Sequence, residues 1–92
     1  MKFVLIGHDG PRGAELRKAH RPAHLRRLEE LESGKKLILA GPFSDQTGSL
    51  IVFEAESLEE ARLWAEGDPY IREQVFSRYE IKPFTQVFPR PT

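Results

Sequence analysis

Cysteine is absent from this sequence of 92 residues. Without a thiol, the chain has no disulfide framework, no thiolate zinc site and no cysteine nucleophile. A surplus of charge is also missing, because 14 Lys and Arg residues balance 14 Asp and Glu residues. Since a protein that binds nucleic acid through its phosphates needs clustered positive charge, the composition argues against a nucleic-acid partner.

Long hydrophobic runs are lacking as well. The longest apolar runs, Phe3–Ile6 and Leu37–Ala40, fall far short of the roughly 20 residues that a membrane-spanning helix needs. The N-terminus carries Lys2 but no apolar segment long enough for a signal peptide. We therefore expect a single domain over residues 1–92, soluble, located in the cytoplasm and without a membrane partner.

Four segments have the pattern of β-strands. Apolar runs over residues 3–6, 37–40 and 50–53 predict three of them, and alternation from Val75 to Pro83 predicts the fourth. The tail, residues 84–92, is predicted to be irregular or a short edge strand. Turn residues follow the first two runs and precede the third, at Gly7–Pro11, Gly41–Pro42 and Ser44–Ser49.

Two helices lie between these strands. Apolar residues at helical spacing predict a long helix from about Gly13 to Ser33, either kinked at Pro22 or restarted with Pro22 at its first position. Ser57, followed three residues later by a glutamate, forms a capping box that opens a second helix. A further helical turn is predicted over residues 68–73.

The resulting order, β-α-β-β-α-β, is that of a ferredoxin-like α+β fold, with a four-stranded antiparallel sheet and both helices on one face. The first three strands are apolar on both faces, although a strand with one wet face should alternate. An uncovered second face would expose a larger apolar patch than monomers usually carry. We expect a sheet-to-sheet homodimer to cover it; the alternative is that these runs are strong strand formers that stay partly exposed.

His24 is the first candidate for chemistry. Helical spacing of about 100° per residue puts it inside the apolar arc of the first helix, where a histidine needs a hydrogen-bond partner. The alternative is a core histidine bonded to a backbone carbonyl. His20 lies four residues earlier, at metal-ligand spacing, but Arg21 stands where the zinc-protease motif has a glutamate, and the surroundings are basic. We therefore expect no metal.

Three further side chains could join His24. Asp68 precedes a proline and is the natural N-cap of the turn that follows. In this topology it could also reach His24, although spacing alone does not decide the point. Arg17 and Arg21, one turn apart and beside His24, could hold a carboxylate or enolate oxygen; the alternative is that both face solvent.

Several short fragments are informative when their order and spacing are taken together. They are Arg17 with Arg21-Pro22-Ala23-His24-Leu25, Leu39-Ala40-Gly41-Pro42-Phe43, Trp64 with Asp68-Pro69-Tyr70, and Lys82-Pro83-Phe84. This pattern resembles the YCII-related domain family over nearly the whole chain. The family is similar to the dimeric ferredoxin-like α/β-barrel group, which agrees with the two-faced apolar strands.

The resemblance implies a site and a reaction class. It implies that His24 and Asp68 form an acid–base dyad in a cleft, without a cofactor. Relatives are linked to lactone chemistry, such as elimination of chloride from a chlorinated muconolactone, so the implied activity is isomerase or lyase chemistry on a small carboxylate or lactone. Arg17, Arg21 and Ser44 are then expected to bind the substrate. The loop that begins at Ser44 would border the cleft and is shorter here than in better-known members, so substrate identity does not carry over.

Two other functions remain open at this stage. One is a non-catalytic ligand-binding or accessory module that keeps the cleft for a small anion. The other is RNA recognition on the free sheet face, which needs exposed aromatic side chains and basic surroundings. Phe3 and Phe53 could serve as the aromatic residues, but their aliphatic neighbours and the zero net charge argue against this use. The expected partner is therefore a small anionic molecule.

Overall fold

A computed structural model describes residues 1–91 of the chain. Its strands and helices follow one another in the predicted order, with the predicted extra turn as a third short helix. The elements are β1 (Lys2–Asp9), α1 (Gly13–Ser33), β2 (Leu37–Pro42), β3 (Gly48–Glu54), α2 (Leu58–Glu66), α3 (Pro69–Arg72) and β4 (Phe76–Phe84).

The four strands form one antiparallel sheet in the order β2-β3-β1-β4. Both long helices pack on the same face of this sheet, which confirms the ferredoxin-like α+β prediction. The core lies between the sheet and these helices. There, Phe3 and Leu5 of β1 face the helices beside Ile51 and Phe53 of β3. Trp64 of α2 completes it, with its ring centre 5.2 Å from that of Phe53.

β1 is longer than its apolar run. The sequence predicts that it ends at Ile6, before a turn that starts at Gly7, but the strand continues to Asp9 because it is paired on both sides, with Gly7 opposite Ser49 and Tyr79. The ring of Phe76 packs directly over Gly7, where a Cβ would overlap it. Glycine is required here for close packing and not for a turn.

The other strand ends also differ from the prediction. β2 includes Gly41 and Pro42, which is possible because β2 is an edge strand and tolerates a proline. β3 begins at Gly48, two residues early, and β4 covers Phe76–Phe84, shifted by one residue from the predicted range. Residues 85–91 contain no helix or strand, and residue 92 lies outside the described part of the chain.

α1 runs without a break through Pro22, so the helix does not restart there. It ends at Ser33 as predicted, and the left-handed residue after it is Lys35, with φ of 60°. The capping box of α2 is confirmed on one side, since the Glu60 N–H donates to Ser57 Oγ at 3.1 Å. No helix within residues 1–91 is both long and apolar enough to cross a membrane.

The face of the sheet that the helices do not cover has a group of apolar side chains at its centre. We call this group the open face. Polar and charged pairs border it, including Lys2 with Glu54 at 3.1 Å and His8 with Glu80 at 3.3 Å. The helices pack on the opposite face. Within residues 1–91, these apolar side chains are therefore covered only in part, by their neighbours on the sheet. The open face consists of Val4, Ile6 and Leu50, which are half-buried, Val52, which is buried, and Leu39, which is 51% exposed.

Replacing Gly7 by Ala tests the packing of Phe76 against β1. The added Cβ would overlap the ring, and overpacking of this kind costs about 1–3 kcal/mol of unfolding free energy. Gly41→Ala is the matched control, because Gly41 also lies in a strand and its Cβ would meet nothing within 4 Å. In urea denaturation we expect a clear loss for Gly7→Ala and a change within about 0.5 kcal/mol for Gly41→Ala; equal stability of the two variants would contradict the close contact.

Candidate functional site

A cavity of about 270 Å³ lies between α1 and the β2–β3 side of the sheet. α1 contributes Arg17, Arg21 and His24 to its wall, β3 contributes Ser49, and α3 contributes Tyr70. Apolar and small residues of α1, β2 and β3 form the rest. Charged, hydroxyl and aromatic groups therefore meet in one concave site, as in small-ligand sites generally.

His24 and Asp68 meet at the wall of this cavity. The distance from His24 Nδ1 is 2.9 Å to Asp68 Oδ1 and 3.0 Å to Oδ2. Both residues are buried, His24 to 6% and Asp68 to 1% exposure. The structure thus brings together the two residues that the sequence could only suggest as partners, and His24 is not the core histidine bonded to a backbone carbonyl.

Asp68 is held in place by its second role as a cap. It is the N-cap of α3, and its Oδ1 also accepts the Tyr70 backbone N–H at 2.8 Å. An ionised carboxylate only accepts hydrogen bonds, so with Asp68 in that form the donor between the two side chains is His24 Nδ1–H. Nε2 then carries a lone pair; it has no protein partner within residues 1–91 and is not sealed from solvent. A histidine with one ring nitrogen held and the other free has the geometry that proton transfer requires.

Tyr70 supports the imidazole ring from one side. The two rings are stacked, with centres 3.8 Å apart and an angle of 7° between their planes. Tyr70 is itself buried, and burial raises the pKa of its phenol above the ordinary value of 10.0, while the nearby Arg17 acts in the opposite direction. The sequence prediction did not assign Tyr70 a role; its place two residues after Asp68 was the signal available.

Arg27 brings the end of α2 against α1. Its Nη2 donates to the Trp64 carbonyl at 2.8 Å, and its guanidinium carbon lies 4.6 Å from the centre of the Trp64 ring. The same carbonyl also accepts the Gly67 N–H at 3.2 Å, at the end of α2. Because Asp68 follows this end by two residues, the contact helps to set the distance between Asp68 and α1. Nothing in the local pattern around Arg27 indicates this contact.

Arg17 does not face solvent. It makes a two-pronged ion pair with Asp9, in which Nε and Nη2 each donate at 2.8 Å. This carboxylate raises the pKa of the Arg17 guanidinium further, so it stays charged. The sequence prediction placed Asp9 in a loop and missed the pair, because eight positions separate the two residues across a strand end.

The remaining predicted residues are distributed differently. Arg21 is exposed to solvent, as its alternative expected, but it also lines the cavity, and it has no carboxylate within 4.0 Å in the described part of the chain. Ser44 is exposed in the turn between β2 and β3 and is not among the residues that form the cavity wall, whereas Ser49 is. His20 is half-buried and also lies outside the wall.

Curated relatives match almost the full length of the chain. The protein YciI of Escherichia coli is 38% identical over 98 residues, covering 96% of this chain and all of the relative. An uncharacterised protein of Haemophilus influenzae is 36% identical over 98 residues, with the same coverage of 96% of this chain and all of the relative.

A solved structure matches the fold closely. It is a 5-chloro-2-hydroxyhydroquinone dehydrochlorinase, TftG, from Burkholderia phenoliruptrix, in complex with 2,5-dihydroxybenzoquinone. The two folds superpose with a TM-score of 0.82 at 29% sequence identity, over 92% of this chain and 94% of the other. The sequence profile of the YCII-related domain family matches residues 1–85 of this chain. By sequence and by fold, the chain belongs to the YCII-related domain family.

Proposed function

We propose that this chain is a cofactor-free enzyme in which His24 moves a proton beside a carbonyl group of a small anionic substrate. The observation that carries the proposal is the buried His24–Asp68 pair at the wall of an accessible cavity. The reaction class is that of the similar protein named a dehydrochlorinase, which acts on a chlorinated hydroquinone. The substrate class is a carboxylate, a lactone or a related cyclic carbonyl compound.

The proposed step begins when the Nε2 lone pair of His24 takes a proton from the carbon beside the carbonyl. The C–H electron pair then forms an enolate. For an isomerisation, the imidazolium returns the proton to another carbon. For an elimination, the enolate reforms the carbonyl, a C=C bond forms, the leaving group departs from the next carbon with its bonding electrons, and the imidazolium releases its proton to water. Asp68 holds Nδ1–H throughout and stabilises the imidazolium that forms. Atoms and electrons balance without a reactant other than water.

The size and charge of the cavity support a small anionic substrate. Its volume, about 270 Å³, is below the roughly 300–1,000 Å³ of sites for drug-sized ligands. Arg21 is the residue we propose for the anionic group, since Arg17 is already paired with Asp9. The role of Ser44 as a substrate contact stays a prediction, as does a cytoplasmic location.

A second copy of the chain is the proposed cover of the open face. Val4, Ile6 and Leu50 are only half-buried there, and Leu39 is more exposed. Apolar side chains gathered at the centre of a surface and bordered by charged pairs are typical of an interface between proteins. A two-fold dimer would place the same face of each copy against the other.

His24→Gln tests the base. We expect the wild-type protein to accelerate exchange of C–H protons for deuterium in at least one member of a panel of small carboxylates, lactones and 2,5-dihydroxybenzoquinone, followed by proton NMR in D₂O. Removal of a general base lowers such a rate by about 10²–10⁴-fold. His20→Gln is the matched control and should leave the rate unchanged, because His20 lies outside the cavity wall. Equal rates in the wild type and His24→Gln would remove the base from the mechanism, and binding without exchange by the wild type would favour a ligand-binding module.

Asp68→Asn tests the tautomer of His24 while keeping the cap, since Asn also caps helices well. If its Oδ1 still accepts the Tyr70 N–H, its NH₂ group faces His24 Nδ1. That group only donates, so Nδ1 must accept and the ring proton moves to Nε2. We expect the exchange rate to fall about as far as in His24→Gln, and nitrogen-15 NMR to show the two ring nitrogens exchanging their signatures. An unchanged tautomer in Asp68→Asn would contradict this role.

Leu50→Glu tests the proposed dimer, because it puts a charge at the centre of the open face. We expect sedimentation equilibrium to give the mass of two chains for the wild type and of one chain for Leu50→Glu, since an unpaired buried charge is costly. Leu63→Glu is the control, because Leu63 is 64% exposed on α2, away from the sheet, and should leave the dimer intact. A single-chain mass for the wild type would refute the proposal.

A further inference from the structure

Arg17 is fixed on the face of the sheet that also forms the cavity. Its two bonds to Asp9 are the parallel pair that a guanidinium and a carboxylate make best. The side chains of Arg17 and Asp9 are only 22% and 11% exposed. Gly13 leaves room for this pair, since a Cβ there would come within 2.8 Å of Asp9 Oδ2.

Two aromatic rings also pack against the guanidinium of Arg17. The Arg17 guanidinium carbon lies 5.2 Å from the ring centre of Tyr70 and 5.7 Å from that of Phe76, within the range of cation–π contacts. Its charge is balanced by Asp9 and its position is set on three sides. Arg17 is therefore a poor candidate for direct capture of a substrate anion.

One N–H of Arg17 points to a different partner. Nη2 also donates to Ser49 Oγ at 2.9 Å. Ser49 is 3% exposed and lines the cavity. A hydroxyl that accepts a hydrogen bond keeps its own proton to donate, and within residues 1–91 no protein group accepts that proton. The donor is thus available to a molecule in the cavity.

We propose that Ser49 is a further substrate-binding residue, whose O–H donates to the carbonyl oxygen on which negative charge develops when His24 removes the proton. Arg17 and Asp9 are positioning residues that orient Ser49 and polarise its O–H. The inference rests on the proposed function and narrows its substrate class to carbonyl compounds that form an enolate.

The chemistry of the donors supports a division of roles. Arg21 is a full charge and suits a group that is anionic before and after the reaction. Ser49 is neutral and suits an oxygen that becomes charged only as the proton leaves. A fixed donor that is aimed at developing charge stabilises the transition state more than the bound substrate.

Ser49→Ala tests the donor, with 2,5-dihydroxybenzoquinone as the probe and Ser33→Ala as the control, because Ser33 is exposed at the end of α1. Loss of such a donor lowers the rate by about 10²–10³-fold, so we expect a fall of this size in proton exchange for Ser49→Ala and none for Ser33→Ala. The infrared C=O stretch of the bound quinone should also move to higher frequency in Ser49→Ala.

Arg17→Lys tests the positioning role and keeps the inference open to refutation if Ser49→Ala does not fold. Lysine keeps the charge but cannot hold Asp9 through two parallel bonds and Ser49 at the same time. We expect kcat for exchange to fall while KM changes little, since the guanidinium of Arg17 is occupied by Asp9 and Ser49 and Arg21 is the residue proposed to bind the anionic group. The C=O stretch should move in the same direction as in Ser49→Ala.

The outcomes separate the two proposals. If the wild type neither binds the quinone nor exchanges protons, the proposed function fails and the role of Ser49 fails with it. If the wild type exchanges protons and His24→Gln does not, but Ser49→Ala and Arg17→Lys match the wild type in rate and C=O frequency, only the role of Ser49 is overturned.

Discussion

The hydrogen bond between His24 and Asp68 constrains most of this structure. A carboxylate exposed to only 1% would be costly without partners, and Asp68 has two donors, one from α1 and one from the backbone of α3. Breaking the pair by removing one partner would leave a buried group unsatisfied. The packing of α1 against α3 and the geometry of the site therefore depend on the same hydrogen bond. A displacement of α1 would lower the stability of the fold and would also disturb the geometry of the site.

The charges of the cavity wall are arranged around this pair. Arg17 brings a positive charge to the wall, but Asp9 balances it within 2.8 Å. Arg21 remains as a cation without a carboxylate partner among residues 1–91. The two arginines of the wall therefore differ in their electrostatic state, and the His24 imidazole in the same wall is held by Asp68 and by the stacked ring of Tyr70.

The fold was predictable from hydrophobic periodicity because the buried face of each element repeats with its own period. The strand ends were not, since Gly7 and Gly41 have the local signature of turns and become strand residues through pairing, Gly7 with β3 and β4 and Gly41 with β3. The same limit applies to the site. His24 was visible in the apolar arc of α1, but its partnership with Asp68 and the Asp9–Arg17 pair depend on contacts between separate elements, for which one sequence contains no local signal.

The pleat of β1 links the core to the site. Alternate residues of a strand share a face, so Phe3 and Leu5 in the core are followed on the same side by Gly7 and Asp9. Ser49 in β3 is the direct partner of Gly7 in β1. Its hydroxyl and the Asp9 carboxylate therefore bind the same nitrogen of Arg17, Nη2. A shift of one residue in the pairing of β1 would turn every one of these side chains to the open face. The register that buries the core is thus also the register that assembles the cavity wall.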